Sequence, residues 1–146
     1  MSYTFAYQGP TENVARAVST NVQISTKAAI MVAQFVKHKS VSRALRDLQE
    51  VVDKQTAVPY TRFTNGAGHK TKIGPGKYPL KTAKAFIALI KSAQANAQDK
   101  GLGEELVIVS CLAQRAAKSM RYGRMRGRQS KSTHIEIIVG EQQNGN

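Results

Sequence analysis

The chain has 146 residues, with 22 Lys and Arg against 9 Asp and Glu and a formal net charge of +13. That length fits one domain. No apolar run approaches the roughly 18–20 residues of a membrane span, and Cys111 as the single cysteine excludes an internal disulfide framework.

Residues 1–10 are polar and lack the charged start and apolar block of a secretory signal, so the expected compartment is the cytosol. Aromatics at 6% with no Trp argue against a large aromatic ligand pocket. The excess positive charge repels itself in a folded chain, which makes a polyanion the expected partner.

Residues 16–24 alternate loosely and predict a polar first strand. Ser25 is placed to cap a helix whose apolar stripe is Ala28, Met31, Val32, Phe35 and Val36, closed by Lys37, His38 and Lys39 at its negative dipole end. Ser40 caps a second helix with the stripe Val41, Ala44, Leu45, Leu48, Val51 and Val52. On its other side Arg43 and Asp47, and Arg46 and Glu50, stand four apart and are spaced to pair. Residues 56–78 hold Pro59, Gly66, Gly68, Gly74, Pro75 and Gly76 without any period, and read as a long basic loop. Pro79 suits the first turn of a third helix, with the stripe Ala83, Phe86, Ile87, Ile90, Ala93 and Ala97 and a stop at Gly101. Leu106 to Val109 is a continuous apolar run expected in a central strand. Residues 133–139 alternate, with Thr133, Ile135, Ile137 and Val139 on one face. The expected core is Val32, Phe35, Leu45, Leu48, Val52, Phe86, Ile90, Val107, Val109, Ile135 and Ile137.

Charge is segregated along the chain. No acid occurs from Lys54 to Gln98, a window that holds Lys54, Arg62, Lys70, Lys72, Lys77, Lys81, Lys84 and Lys91. None occurs from Leu106 to Ile135, which holds Arg115, Lys118, Arg121, Arg124, Arg126, Arg128 and Lys131. Long acid-free basic stretches are the footprint of a nucleic-acid binder. The two final strands flank the second window and read as a β-hairpin. Only its base carries side chains suited to a core. If residues 113–132 stay paired, the arms project on the order of 30 Å at the usual rise per residue. A lone two-stranded ribbon is marginal in water, and six cations near its end add repulsion. Such a segment makes sense inserted among phosphates, where each Arg can fork onto oxygens. Gly123 and Gly127 permit close approach, and Tyr122 can stack on a base.

Several motifs in fixed order carry a resemblance. They are Ile24-Ser25-Thr26-Lys27, Ala57-Val58-Pro59-Tyr60-Thr61-Arg62-Phe63, Gly68-His69-Lys70, and Gly74-Pro75-Gly76-Lys77-Tyr78-Pro79-Leu80-Lys81. Ala93-Gln94-Ala95-Asn96-Ala97 with Lys100-Gly101-Leu102, Gly127-Arg128, and Thr133-His134-Ile135-Glu136 continue the series. Over nearly the whole chain this resembles the large-subunit ribosomal protein twenty-two family in its archaeal form. The segment after Gly127-Arg128 is several residues shorter than the family's pattern, and the tip lacks the usual proline.

The resemblance implies an α/β body on the outer surface of the large subunit and a hairpin that runs through ribosomal RNA. It also implies bridging of RNA domains during assembly, a tip that lines the nascent-peptide exit tunnel, and neighbouring large-subunit proteins as partners. The fold class expected is α+β, three helices on a small antiparallel sheet with a long β-hairpin extension. Residues 1–112 plus 133–141 are expected to form the globular RNA-binding domain, with 55–79 as a basic insertion. Residues 113–132 are expected to form the hairpin and 142–146 a flexible tail. The alternative is a free-standing RNA- or DNA-binding chaperone or chromatin-type protein.

The expected RNA-binding residues are Lys27, Arg62, His69, Lys70, Lys72, Lys77, Arg115, Lys118, Arg121, Tyr122, Arg124, Arg126, Arg128 and Lys131. No enzymatic activity, cofactor or metal is expected. His38, His69 and His134 have no Cys or paired carboxylate at ligand spacing, and Gly74-Pro75-Gly76-Lys77 lacks the spacing of a nucleotide-binding phosphate loop. Cys111 is expected to pack on a strand face with Val107 and Val109. Met31 belongs to the core, and Met120 and Met125 lie beside the tip arginines.

Overall fold

A computed structural model describes residues 3–141; the expected tail at 142–146 lies outside the described residues. In chain order the elements are β1 (Val14–Val22), α1 (Thr26–Val36), α2 (Val41–Val52), β2 (Val58–Pro59), β3 (Gly68–Lys70), β4 (Gly74–Lys77), α3 (Leu80–Asp99), β5 (Leu106–Arg115) and β6 (Thr133–Glu141). The class is α+β, as expected. The main sheet has the order β1-β6-β5, antiparallel throughout. β6 takes the middle because both its faces are apolar or satisfied. Ile135, Ile137 and Val139 enter the core under the helices, while Glu136, Ile138 and Gly140 are buried on the opposite face.

The helices follow the predicted stripes, with local corrections. Ser25 stands at the N-cap of α1 in an extended conformation, yet its side chain makes no capping bond. Ser40 does cap α2, its Oγ accepting the Arg43 N–H at 3.4 Å. Of the two expected pairs on α2, Arg43–Asp47 is present at 3.9 Å, while Glu50 accepts the Thr56 hydroxyl instead of Arg46. Pro79 is the N-cap of α3, one position before the first turn. At the far end Gly101 has φ of 71°, with Leu102 N–H bonding Ala97 O and Gly101 N–H bonding Gln98 O. That pair of hydrogen bonds is the left-handed glycine stop its position predicts.

The core corrects the sequence reading at β5. Leu106 and Ile108 are its core residues, while Val107 and Val109 are only half-buried and outside the core cluster. An unbroken apolar run has no parity to read. A register irregularity between Ile108 and Ser110 then switches the strand's alternation, so Cys111 joins Ile108 in the core instead of sharing a face with Val107 and Val109. Phe35, Leu45 and Val52 pack on the core from its margin, half-buried; Val32, Leu48, Phe86, Ile90, Ile135 and Ile137 are fully enclosed. The first strand runs over Val14–Val22, two residues ahead of its expected bounds.

The segment read as an irregular loop holds a second sheet, order β2-β4-β3. Its strands are two to four residues long and include Gly-Pro-Gly, so no alternation announces them. Gly76 is required there, since a Cβ would meet Lys70 Cγ at 2.9 Å and Ala57 Cβ at 3.3 Å.

Beyond Arg115↔Thr133 the hairpin loses its regular ladder but keeps scattered pairing. Ala116 N–H bonds Ser132 O, Ser130 N–H bonds Ser119 O, and Arg121 N–H bonds Arg128 O at 2.8 Å. A short 3-10 turn, Gly123–Met125, forms the tip.

Candidate nucleic-acid interface

The expected basic residues fall into four places. Arg115, Lys118, Arg121, Arg124, Arg126, Arg128 and Lys131 are all exposed along the hairpin, and Tyr122 at its tip is 95% exposed. Nothing apolar shields them, so their charge faces outward over the whole extension. Among the described residues the ion pairs found both use Asp47, with Lys39 at 2.6 Å and Arg43 at 3.9 Å. The hairpin cations therefore have no carboxylate partner among the described residues, and the cost of ordering them together is left for an external anion to offset.

A second group gathers where the hairpin base meets the start of α1. Lys27, Arg115, Lys118 and Lys131, with Ser25 and Thr26, line a notch of about 300 Å³. The chain order explains the meeting. β1 delivers the chain to Ser25 beside β6, and the hairpin arms leave the sheet at that edge. The Thr26 and Thr133 hydroxyls lie 2.8 Å apart, and Thr133 Oγ1 donates to Ile24 O at 3.1 Å, which fixes the start of α1 against the hairpin base. The positive end of the α1 dipole adds to the four cations.

The third group lies on the other side of Lys27. A cavity of about 600 Å³ is lined by Ser25, Lys27, Tyr60, Phe63, Asn65 and Lys77, among others. Cations and aromatic rings alternate here. Lys27 Nζ lies 5.6 Å and Arg62 Cζ 5.2 Å from the Phe63 ring centre, and Lys77 Nζ lies 5.2 Å from that of Tyr60. Lys77 also donates to Asn65 O at 2.7 Å, which ties the loop to β4. Phe63 has φ of 58°; for a bulky residue that conformation costs on the order of 1–3 kcal/mol and persists only where the surroundings impose it. Tyr60 is buried, and burial raises its hydroxyl above the ordinary tyrosine range.

His69, Lys70 and Lys72 stand apart from both hollows, on β3 and the turn after it. His69 and Lys72 are exposed, and Lys70 is half-buried with Nζ 5.1 Å from the Tyr78 ring centre. The sequence reading did not single out Tyr60, Phe63 and Asn65, which line the cavity with Lys27 and Lys77. The signal was a cation between two aromatics in Tyr60-Thr61-Arg62-Phe63. His38 is exposed, and His134 Nδ1 accepts the Asn21 N–H at 3.2 Å. Among the described residues no cluster of three or more His, Cys, Asp or Glu is arranged to hold a metal ion, and no helix is long and apolar enough to cross a membrane.

The chain matches known proteins over most of its length. The family model described as ribosomal protein L22p/L17e matches residues 17–140. A protein of Picrophilus torridus named large ribosomal subunit protein uL22 is 35% identical over 135 residues, covering 89% of this chain and 91% of the relative. Proteins of the same name from Thermoplasma volcanium and Methanoregula boonei are 32% and 33% identical, the latter covering 97% of both chains. With its α+β body, its basic hairpin and a family match across 17–140, this chain belongs to the ribosomal protein L22p/L17e family.

Proposed function

We propose that the chain is a structural, non-enzymatic constituent of the large ribosomal subunit, cytoplasmic with that subunit, and that it acts by binding ribosomal RNA. The observation that carries this reading is the hairpin: seven exposed cations without a carboxylate partner among the described residues, on a ribbon without a core of its own. Its mechanism is charge neutralisation and shape. Each Arg forks onto phosphate oxygens, counterions leave the RNA, and the α+β body fixes where the ribbon enters. Residues 1–112 plus 133–141 serve as the body on the RNA surface and 113–132 as the probe, which lets one chain brace separate RNA segments during assembly. His69, Lys70, Lys72, Arg62 and Lys77 extend the contact along the small sheet.

The finer reading is that the tip borders the growing peptide in the exit tunnel, with neighbouring large-subunit proteins against the body. Exposed Tyr122, Met120 (59%) and Met125 (39%) support it, because adaptable apolar side chains suit varied peptide sequences. Sedimentation of a cell lysate tests the main reading. The chain is expected to travel with the large subunit in moderate salt, and a chain that stays at the top of the gradient refutes it.

A further inference from the structure

Two hollows adjoin one another across the first turn of α1, and they differ in chemistry. Both have Ser25 and Lys27 in their walls. The notch adds Arg115, Lys118 and Lys131 and no aromatic side chain. The cavity adds Tyr60 and Phe63 with Lys77, and its volume of about 600 Å³ lies inside the roughly 300–1,000 Å³ range of small-ligand sites. A flat apolar ring beside a cluster of cations, joined through one lysine, matches a molecule with a planar heterocycle at one end and an anion at the other.

We propose that these two hollows together hold one unpaired nucleotide of RNA, its base against Phe63 and its phosphate in the notch of Lys27, Arg115, Lys118 and Lys131. This rests on the RNA-binding reading and names a site within it. A duplex does not satisfy the geometry, because paired bases do not present a free face to a ring in a cavity, whereas RNA loops and bulges splay bases onto aromatic side chains. Phe63 is now covered by Lys27 and Arg62, both exposed and held by contacts weaker than base stacking. An arriving base displaces them from the ring and frees them for phosphate. The φ of 58° at Phe63 sets the direction in which its Cβ leaves the backbone before any base arrives. Asn65 supplies an amide at the cavity wall for the edge of the base.

The test is binding of the full chain to large-subunit ribosomal RNA from its own source, across a salt series. Phe63→Leu keeps apolar packing and removes the π-face. It is expected to weaken binding by about 5- to 100-fold with an unchanged salt slope, and Phe63→Tyr is expected to restore most of the affinity. Lys27→Gln is expected to lower the slope by about 0.7. If the wild-type chain does not bind this RNA, the RNA-binding reading itself fails. If it binds and Phe63→Leu binds within twofold of it, only the nucleotide site is overturned. Ultraviolet crosslinking of the wild-type complex needs no variant: a nucleotide adduct on Phe63 or Tyr60 is expected, and adducts confined to the hairpin overturn the proposal.

Discussion

The Glu136 carboxylate accepts the backbone N–H of Ala6, at 3.1 Å to Oε1 and 3.2 Å to Oε2, across 130 positions of sequence. The Tyr3 hydroxyl donates to the same carboxylate at 3.3 Å. Glu136 is 1% exposed at the middle of the central strand, on the face away from the helices. A buried carboxylate is tolerated only when its oxygens find donors, and here the N-terminal segment provides them. Glu136→Ala leaves the Ala6 amide without this acceptor and is expected to cost about 1–3 kcal/mol in a urea titration. Glu136→Gln keeps an acceptor oxygen and is expected to cost less. Equal stability of the wild type and the Ala variant would show that the N-terminal segment contributes nothing here.

Replacement along β5 separates the two faces of the strand. Ile108→Ala and Phe86→Ala are expected to cost roughly 2–5 kcal/mol, because both side chains are fully enclosed. Val107→Ala, half-buried on the outer face, is expected to cost about 1 kcal/mol or less. Chemical unfolding midpoints of the three variants check this order, and a Val107 loss that matches the Ile108 loss contradicts the strand parity described above.

Cys111 offers a readout of core integrity. Burial pushes its thiol from 9.0 up to about 12, with Glu136 adding to the rise and Lys37 opposing it. The folded pKa is above the unfolded one. The associated stability is therefore fully present below pH 9 and is lost as pH rises from there through about 12. At pH 8.5 iodoacetamide is expected to leave the folded chain unmodified and to react once urea unfolds it. Rapid labelling without denaturant would place the thiol outside the core.

The hairpin arginines set the salt dependence. Replacing Arg121, Arg124 and Arg126 together by Ala is expected to lower the slope of log affinity against log salt by about two to three units, since each phosphate contact contributes slightly under one. Filter binding over 50–300 mM salt is on the order of the range required. A slope that does not move would assign the RNA contact to the body instead.

In the free chain the ribbon tip is expected to move while α3 stays rigid. Residues 121–129 bury no side chain, so little offsets the roughly 1–2 kcal/mol per residue of backbone entropy lost on ordering. Amide order parameters below about 0.6 at the tip against about 0.85 in α3 are the expected result. Uniform values would mean that the few ribbon bonds suffice to hold it.

The sequence by itself determined the three helices, the hairpin, the basic character and the family. Those features rest on local signals: stripes at helical spacing, a serine before α1 and before α2, a glycine after α3, and a long window free of acids. Leu48 and Phe86 declare their burial by the company they keep three and four positions away. Only the tertiary structure decided which parity of Leu106 to Val109 faces the helices, because four consecutive apolar residues suit either side and the bulge at Val109 then turns Cys111 inward. It alone formed a sheet from Gly74-Pro75-Gly76-Lys77, whose strands exist through pairing with distant partners and not through any pattern of their own. It alone brought Lys27 between Phe63 and Arg115, which lie 36 and 88 positions further along the chain. Spacing along a chain carries information about one element's own faces; a site made where three elements end is set by how those elements pack.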